Sequence, residues 1–265
     1  MSLQNDTAKA LKALHTPSNP LILANVWDAI SAKSVAALPN CKALATASYA
    51  IAAAAGLEDP QLTLQANLAA ARAVASVSKS ANKPLTVDFQ DGWGDELEEG
   101  VREVIKIGAV GINLEDYGRD VDGGKGGLYE IEVAKERIRR VMRVAVEEEV
   151  PDFVVNARTD ALLVGLGIKD AIERGKAYLE AGASNVFIWG GRERGGMTRA
   201  EVEEASKALA GRLNVSMIRI LPGGLTVKDL SEIGVARISV GPQLMLKTAG
   251  FVGQEAKKIL GGEPV

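Results

Sequence analysis

Acidic and basic side chains in this chain gather at the ends of short apolar runs. LTVDFQDGWGD carries Asp88 and Asp91, GINLEDYG carries Glu115 and Asp116, and FVVNARTDA carries Arg158 and Asp160. Asp59, in GLEDP, adds a further carboxylate. Acids brought together without balancing lysines repel one another, and a hard divalent cation, Mg2+ or Mn2+, relieves that repulsion with oxygen ligands and waters. The alternative is that some of these acids cap helix N-termini or sit solvated in loops, which applies most to Asp59, Asp95 and Asp160. His15 and Cys41, the sole histidine and sole cysteine, stand apart from the cluster. His15 reads as a surface or packing residue and Cys41 as a structural one.

The elements that must position these groups follow from periodicity. An apolar run with charge only at its C-terminal end reads as a strand buried on both faces, and several such ends define one rim of a parallel sheet. Strands are expected at 21–27, 42–48, 85–90, 111–116, 153–159, 185–190, 215–220 and 237–241, separated by amphipathic stretches of helical period. Gly108, Gly182, Gly211 and Gly234 suit left-handed helix ends. Eight alternating strand and helix units in 265 residues predict an α/β fold, a (β/α)8 TIM barrel forming a single domain over 1–265, whose C-terminal rim does chemistry. Asp6 to His15 is expected to form an extra N-terminal helix covering the barrel bottom.

Composition narrows the function. A hydrophobic content of 47% supports one sizeable core, and a net charge of −3 leaves no electrostatic footprint for nucleic acid or an acidic membrane. One cysteine permits no intrachain disulfide, and MSLQNDTAKALKAL lacks the regions of a secretory signal. A cytoplasmic enzyme is the expectation. No run approaches the roughly 18 apolar residues of a membrane span. ERIRRVMR is basic, yet EEE follows it, as on a solvated helix face.

ANVWDAISAKSVAAL, ATASYAIAAAAGLEDP, TVDFQDGWGD, GINLEDY, NARTDALL and LPGGLTVKDLSEIGVARISVGP, in this order over almost the whole chain, resemble the isocitrate lyase and phosphoenolpyruvate mutase superfamily, with a phosphonomutase-like cast. The resemblance implies a barrel in which Mg2+ holds an α-keto acid or its enolate. It also implies a homo-oligomer, often a tetramer with C-terminal helices swapped between partners. By the same resemblance Asp88 binds the metal directly, and Asp59 and Glu115 hold metal-bound waters. Arg158 contacts the substrate carboxylate and the forming enolate oxygen, a role suited to its permanent charge and planar fork. Thr46, Ala47 and Ser48 match the segment that cradles the keto acid. On this basis Arg158→Ala is expected to fold normally and lose keto-acid binding.

Departures from the family pattern bear on the reaction. Where the family has an Asp-x-Asp pair, this chain has Gln90 followed by Asp91, so either could serve the metal. The loop from Tyr117 to Tyr129 lacks the Lys-x-Cys-Gly-His signature of the ordinary lyases, which argues against isocitrate or methylisocitrate as substrate. Five glycines between Gly118 and Gly127 suit a mobile lid as well as an ordinary hydrophilic loop. In a lid, Tyr117, Arg119, Lys125 and Tyr129 are the candidate proton donors or anion ligands. Strand six ends in WGG, with Trp189 or Gly190 where many lyases place a substrate-binding glutamate, so Trp189 either shapes an apolar substrate wall or packs the barrel. Trp27 and Trp93 also end strands, and Trp27 is a further candidate substrate contact. GGRERGG and LPGG resemble phosphate-gripping turns, with a phosphosugar the lesser reading. The reaction expected is Mg2+-dependent C–C cleavage of a 2-hydroxy or 2-oxo carboxylic acid through an enolate. Phosphonate P–C chemistry, oxaloacetate-type decarboxylation or hydrolysis, and an inactive keto-acid-binding barrel remain alternatives.

Overall fold

Strands and helices alternate along the computed structural model, which describes residues 2–217 and 224–262. Helix α1 (Leu3–Ala13) precedes β1 (Leu21–Leu23) and α2 (Ala29–Ala36), and β2 (Leu44–Ala45) leads into the short α3 (Ser48–Ala54) and α4 (Leu64–Ser80). Next come β3 (Leu85–Asp88), α5 (Leu97–Lys106), β4 (Gly111–Glu115), a small hairpin of β5 (Tyr117–Gly118) and β6 (Gly127–Leu128), and α6 (Ile131–Glu147). The chain continues through β7 (Val154–Thr159), α7 (Ile168–Glu180), β8 (Asn185–Ile188), α8 (Arg199–Ala208), β9 (Leu213–Ser216), α9 (Val227–Ile233), β10 (Arg237–Ser239) and α10 (Gln243–Leu260).

Eight strands pair in parallel in the order β1-β10-β9-β8-β7-β4-β3-β2. The edges meet where Val26 and Thr46 bridge in parallel, with the Val26 N–H donating to the Ala45 carbonyl at 2.8 Å. The result is the TIM-type barrel expected from the sequence. The strands are shorter than the apolar runs, because the ends of those runs turn into rim loops. The run at 215–220 contributes Val215 and Ser216 to β9, which starts earlier at Leu213, and residues 218–220 lie outside the described residues. Two features escaped the periodicity: α3, whose alanine-rich sequence has no polar face, and the β5–β6 hairpin inside the glycine-rich loop.

Side chains alternate along a strand, and this alternation sorts the barrel. Val87, Ile112, Leu114, Val155 and Ala157 join the apolar core. Polar and charged residues hold the intervening places: Thr86 and Asp88, Asn113 and Glu115, Asn156 and Arg158. Helix α5 shows the complementary pattern, burying Leu97, Val101, Val104 and Ile105 on one face, each such side chain worth roughly 1.5–3 kcal/mol of burial. Gly100 sits on that face because a Cβ there would fall 2.7 Å from Phe89 Cζ. Gly234 ends α9 in the left-handed conformation, φ 98°, as its sequence position suggested. Among the described residues no helix is long and apolar enough to cross a membrane.

The expected N-terminal helix is present and covers the barrel bottom. Ala8 and Leu11 are fully buried. Gln4 Nε2 donates to the Ile105 and Ala109 carbonyls, and the Asn5 side chain bonds Asp152. Just beyond it, His15 Nδ1 donates to the Leu11 carbonyl at 2.9 Å, while Nε2 lies 3.5 Å from Arg237 Nη1. His15 is therefore a packing residue between the helix and a buried guanidinium. Burial first, and then the Arg237 charge, hold its imidazole down to a pKa of about 4. An unfolded chain, with histidine near its ordinary value of about 6.5, binds a proton across this window that the folded chain refuses. His15 thus leaves stability intact above about pH 6.5 and removes up to about 3 kcal/mol as pH falls through 4. Denaturant titrations from pH 7 to 3.5 should show this acid slope in the wild type and a shallower one in His15→Gln. Identical slopes would rule His15 out as the source.

Candidate active site

A cavity of about 330 Å3 opens at the C-terminal ends of the strands. Thr46, Ala47, Ser48, Asp59, Asp88, Arg158 and Trp189 all line it, so seven residues scattered from 46 to 189 in sequence come together as expected. Arg158, on β7, is clamped from two sides. Its Nε and Nη2 donate to the two carboxylate oxygens of Asp160 at 2.8 and 3.0 Å, and Nη1 donates to Glu115 Oε1 at 2.7 Å. The Phe187 and Trp189 rings lie 5.8 and 5.6 Å from its Cζ, a cation–π arrangement. Trp189 therefore both walls the cavity and packs on the arginine.

Asp160 is no solvated loop acid. It is buried, and its backbone N–H donates to Asp116 Oδ1 at 2.8 Å. Asp116 Oδ2 accepts in turn from Tyr178 Oη at 2.6 Å and Arg174 Nη1 at 3.2 Å. Asp116 thus stands behind the site and braces it. Burial would lower the Arg158 pKa, but the charges of Asp160 and Glu115 outweigh it and hold the guanidinium protonated.

Asp88, at the end of β3, is positioned by β4 and by the segment that joins β2 to α3. Its backbone N–H donates to Thr46 Oγ1 at 2.8 Å; Oδ2 accepts from the Ser48 N–H at 2.8 Å and Oδ1 from Asn113 Nδ2 at 3.0 Å. Asn113 Oδ1 accepts from Asn156 Nδ2, and Asn156 Oδ1 from Asn185 Nδ2, so an amide ladder crosses the barrel interior beneath the site. Burial, then the Asp88 charge, push the Asp59 carboxyl up. Burial also pushes Glu115 well up against the opposing pull of Arg158.

Four expected site residues lie elsewhere. Asp91 is turned away from the cavity, with Oδ2 accepting from the Arg119 N–H and Oδ1 from Arg119 Nε; Gln90, not Asp91, faces Asp59. Lys125 is 80% exposed at the tip of the hairpin and pairs with Asp122. Tyr117 lies at the hairpin base against Gly126. Trp27 packs half-buried against the core, and Trp93 is rim packing, edge-on to Phe89 with Nε1 donating to the Leu62 carbonyl. In each case the loop backbone, which periodicity does not describe, sets the direction.

Other lining residues were not anticipated. Asn25 ties the barrel seam, donating to the Thr46 carbonyl at 2.7 Å and accepting from the Val240 and Gly241 N–H groups. Arg192, from GGRERGG, and Gln243 also line the cavity, as does Arg237 lower in the barrel. Asn113 and Asn156 line it too, and for these two the available signal was an asparagine two residues before a charged strand end, as in NLE and NAR, since that spacing shares a face. Residues 221–223 of LPGG lie outside the described residues.

Among the described residues no three carboxylate, imidazole or thiolate groups form a ready-made metal cage. Mg2+ commonly takes one or two carboxylates and keeps several waters. The oxygen-only set of Asp88, Asp59 and Glu115 suits that arrangement; burial is the main cause of the upward push on the latter two, and neighbouring acids add to it.

A parallel β/α barrel with charged side chains gathered around a cavity at its C-terminal rim has the architecture on which enzymes of this fold build their sites. More particularly, the chain belongs to the phosphoenolpyruvate phosphomutase family, which matches residues 11–260, within the isocitrate lyase and phosphoenolpyruvate mutase superfamily. It is 30% identical to an uncharacterized protein of Mycobacterium tuberculosis over 86% of this chain and 80% of that one. It is 36% identical to 2-methylisocitrate lyase of Escherichia coli over 71% of this chain and 63% of the lyase. A solved structure of a candidate phosphonomutase from Burkholderia cenocepacia J2315 superposes with a TM-score of 0.84 at 30% identity, covering 96% of this chain and 99% of that one.

The ion pairs of Arg158 alter the outcome expected from sequence for its removal. Arg158→Ala leaves Asp160 and Glu115 buried without their cation, so it should lower stability by roughly 3–5 kcal/mol rather than fold unperturbed. Urea unfolding at pH 7 would measure this, and an unchanged midpoint would show that the clamp contributes nothing.

Proposed function

We propose that this protein is a Mg2+-dependent lyase that cleaves a C–C bond of a 2-hydroxy or 2-oxo carboxylic acid through an enolate. The observation that carries this reading is Arg158, locked by Asp160 and Glu115 and lining the same cavity as Asp88. Three of the five guanidinium N–H donors are engaged by those acids, leaving two for a ligand (5 − 3 = 2). They suit a substrate carboxylate and the oxygen on which enolate charge develops. In a 2-hydroxy acid, loss of the hydroxyl proton lets that oxygen become a carbonyl as the adjacent C–C bond breaks. The bonding pair passes to the departing carbon, which must itself bear a carboxylate to take up the charge as an enolate that is then protonated. Asp88 would hold the cation directly, Asp59 and Glu115 through waters, and the bound ion would supply Lewis-acid stabilisation of the oxyanion.

The wall built by Phe187, Trp189, Leu163 and Leu246 fits a substrate with an apolar substituent. The loop between Tyr117 and Tyr129 has no cysteine or histidine, so the proton donor differs from that of the ordinary lyases. A second reading, decarboxylation or hydrolysis of an oxaloacetate-like dicarboxylate, is favoured by Arg192 on the cavity lining, a second cation for a second carboxylate. We further propose a cytoplasmic homo-oligomer. Helix α10 buries none of its residues within the chain, and Phe251 and Leu260 are 63% and 88% exposed, which supports exchange of this helix with another copy.

Calorimetric titration with oxalate, a mimic of pyruvate enolate, tests the core of this reading. Binding should require Mg2+ in the wild type and be lost in Asp88→Asn. Failure of the wild type to bind oxalate with Mg2+ present would sink the enolate site, and retained Mg2+ dependence in Asp88→Asn would remove that residue as the metal ligand.

A further inference from the structure

The loop after β3 is bent by left-handed residues: Gln90 at φ 44°, Gly92 at 72°, Trp93 at 52° and Gly94 at 63°. Glycine adopts this region freely, but a long side chain such as Gln90 does so at a cost that the surroundings must hold in place. The bend directs the Gln90 amide between two partners. Its Nε2 donates to Asp59 Oδ1 at 2.9 Å and to the Asp59 carbonyl at 3.0 Å, and its Oε1 accepts from Arg119 Nη2 at 2.8 Å. Arg119 belongs to the segment between β5 and β6. It is anchored there by Asp91, which accepts from its backbone N–H at 3.0 Å and from Nε at 2.9 Å, and its guanidinium lies 5.3 Å from the Trp93 ring centroid. One glutamine thus touches a cavity carboxylate with one end and the glycine-rich hairpin with the other.

We propose that Gln90 is a positioning residue that couples the hairpin from Tyr117 to Leu128 to the Asp59 carboxylate. An amide is the group this place requires. It offers a donor and an acceptor at once, whereas a carboxylate at 90 would accept from Arg119 but repel Asp59, and a hydrocarbon would serve neither. Seating Arg119 on Asp91 and Gln90 orients the amide, and the oriented amide fixes Asp59. Coupling of this kind is reciprocal, so loss of Asp59 must loosen the hairpin as surely as loss of Arg119 loosens Asp59. The reach of the coupling into catalysis rests on the keto-acid reading of the site; the coupling itself does not.

Trypsin cleavage after Lys125, 80% exposed at the hairpin tip, reads the hairpin in the ligand-free protein, with mass spectrometry to locate the cut. Asp59→Ala, Gln90→Met and Arg119→Met should each speed this cleavage about fivefold, at the low end of coupling between linked sites. Asp59→Ala combined with Arg119→Met should be no faster than Arg119→Met alone, and Arg119→Lys should restore part of the protection. Circular dichroism confirms folding, and Gln90→Met decides the matter should Asp59→Ala not fold. Wild-type cleavage rates in folded Asp59→Ala or Gln90→Met, or effects that multiply in the double variant, would overturn the coupling. With oxalate and Mg2+, protection of Lys125 should increase in the wild type and not in Arg119→Met. A wild type that binds no oxalate defeats the keto-acid reading alone, since the ligand-free comparison still decides the coupling.

Discussion

A guanidinium only 17% exposed at the mouth of the barrel needs compensating charge, and much of the rim is arranged around that requirement. Arg158 is satisfied by Asp160 and Glu115. Asp160 is held by Asp116, and Asp116 by Arg174 and Tyr178. Desolvating such a set is costly, and it is kept intact only when each member is both paired and hydrogen-bonded. The gain is a cation whose remaining N–H donors have a fixed direction before any ligand arrives, which is what stabilisation of a developing oxyanion needs.

The cavity mixes both signs: Asp59 and Asp88 line it together with Arg158, Arg192 and Arg237. Glu115 stands behind Arg158 as its ion-pair partner, and burial raises the cost of ionising Asp59 and Glu115. Phe187 and Trp189 pack beside the arginine.

Polarity continues down into the barrel. Asn113, Asn156 and Asn185 relay hydrogen bonds from Asp88, where branched apolar layers are the usual filling. Below them, burial lowers the Arg237 pKa to about 10, and Asp88 is the charge that opposes this. The N-terminal helix and His15 close the bottom. The amide ladder fixes the direction of Asp88 from below as Thr46 and Ser48 fix it from the side.

Alternation of apolar runs with amphipathic stretches was enough to read the barrel, its rim and the covering helix, because burial imposes those periods on any chain that folds this way; it grouped Asp59, Asp88, Asp91, Glu115 and Asp116 at that rim alike, and the narrower set of Asp88, Asp59, Glu115 and Arg158 came from the family resemblance. Side-chain direction within loops carries no such period. Positive φ angles at Gln90 and Trp93 turn Gln90 to Asp59 and leave Asp91 to Arg119, a choice between neighbours that adjacency in sequence could not make. Lys125 and Tyr117 fell outside the cavity for the same reason: hairpin geometry placed them. The helix at 48–54 was hidden by its uniform small residues, and Trp27 by the inward packing of its loop. Residue type and period determined which groups could do chemistry at the rim; long-range hydrogen bonds and ion pairs, formed only once the strands close, decided which of them meet.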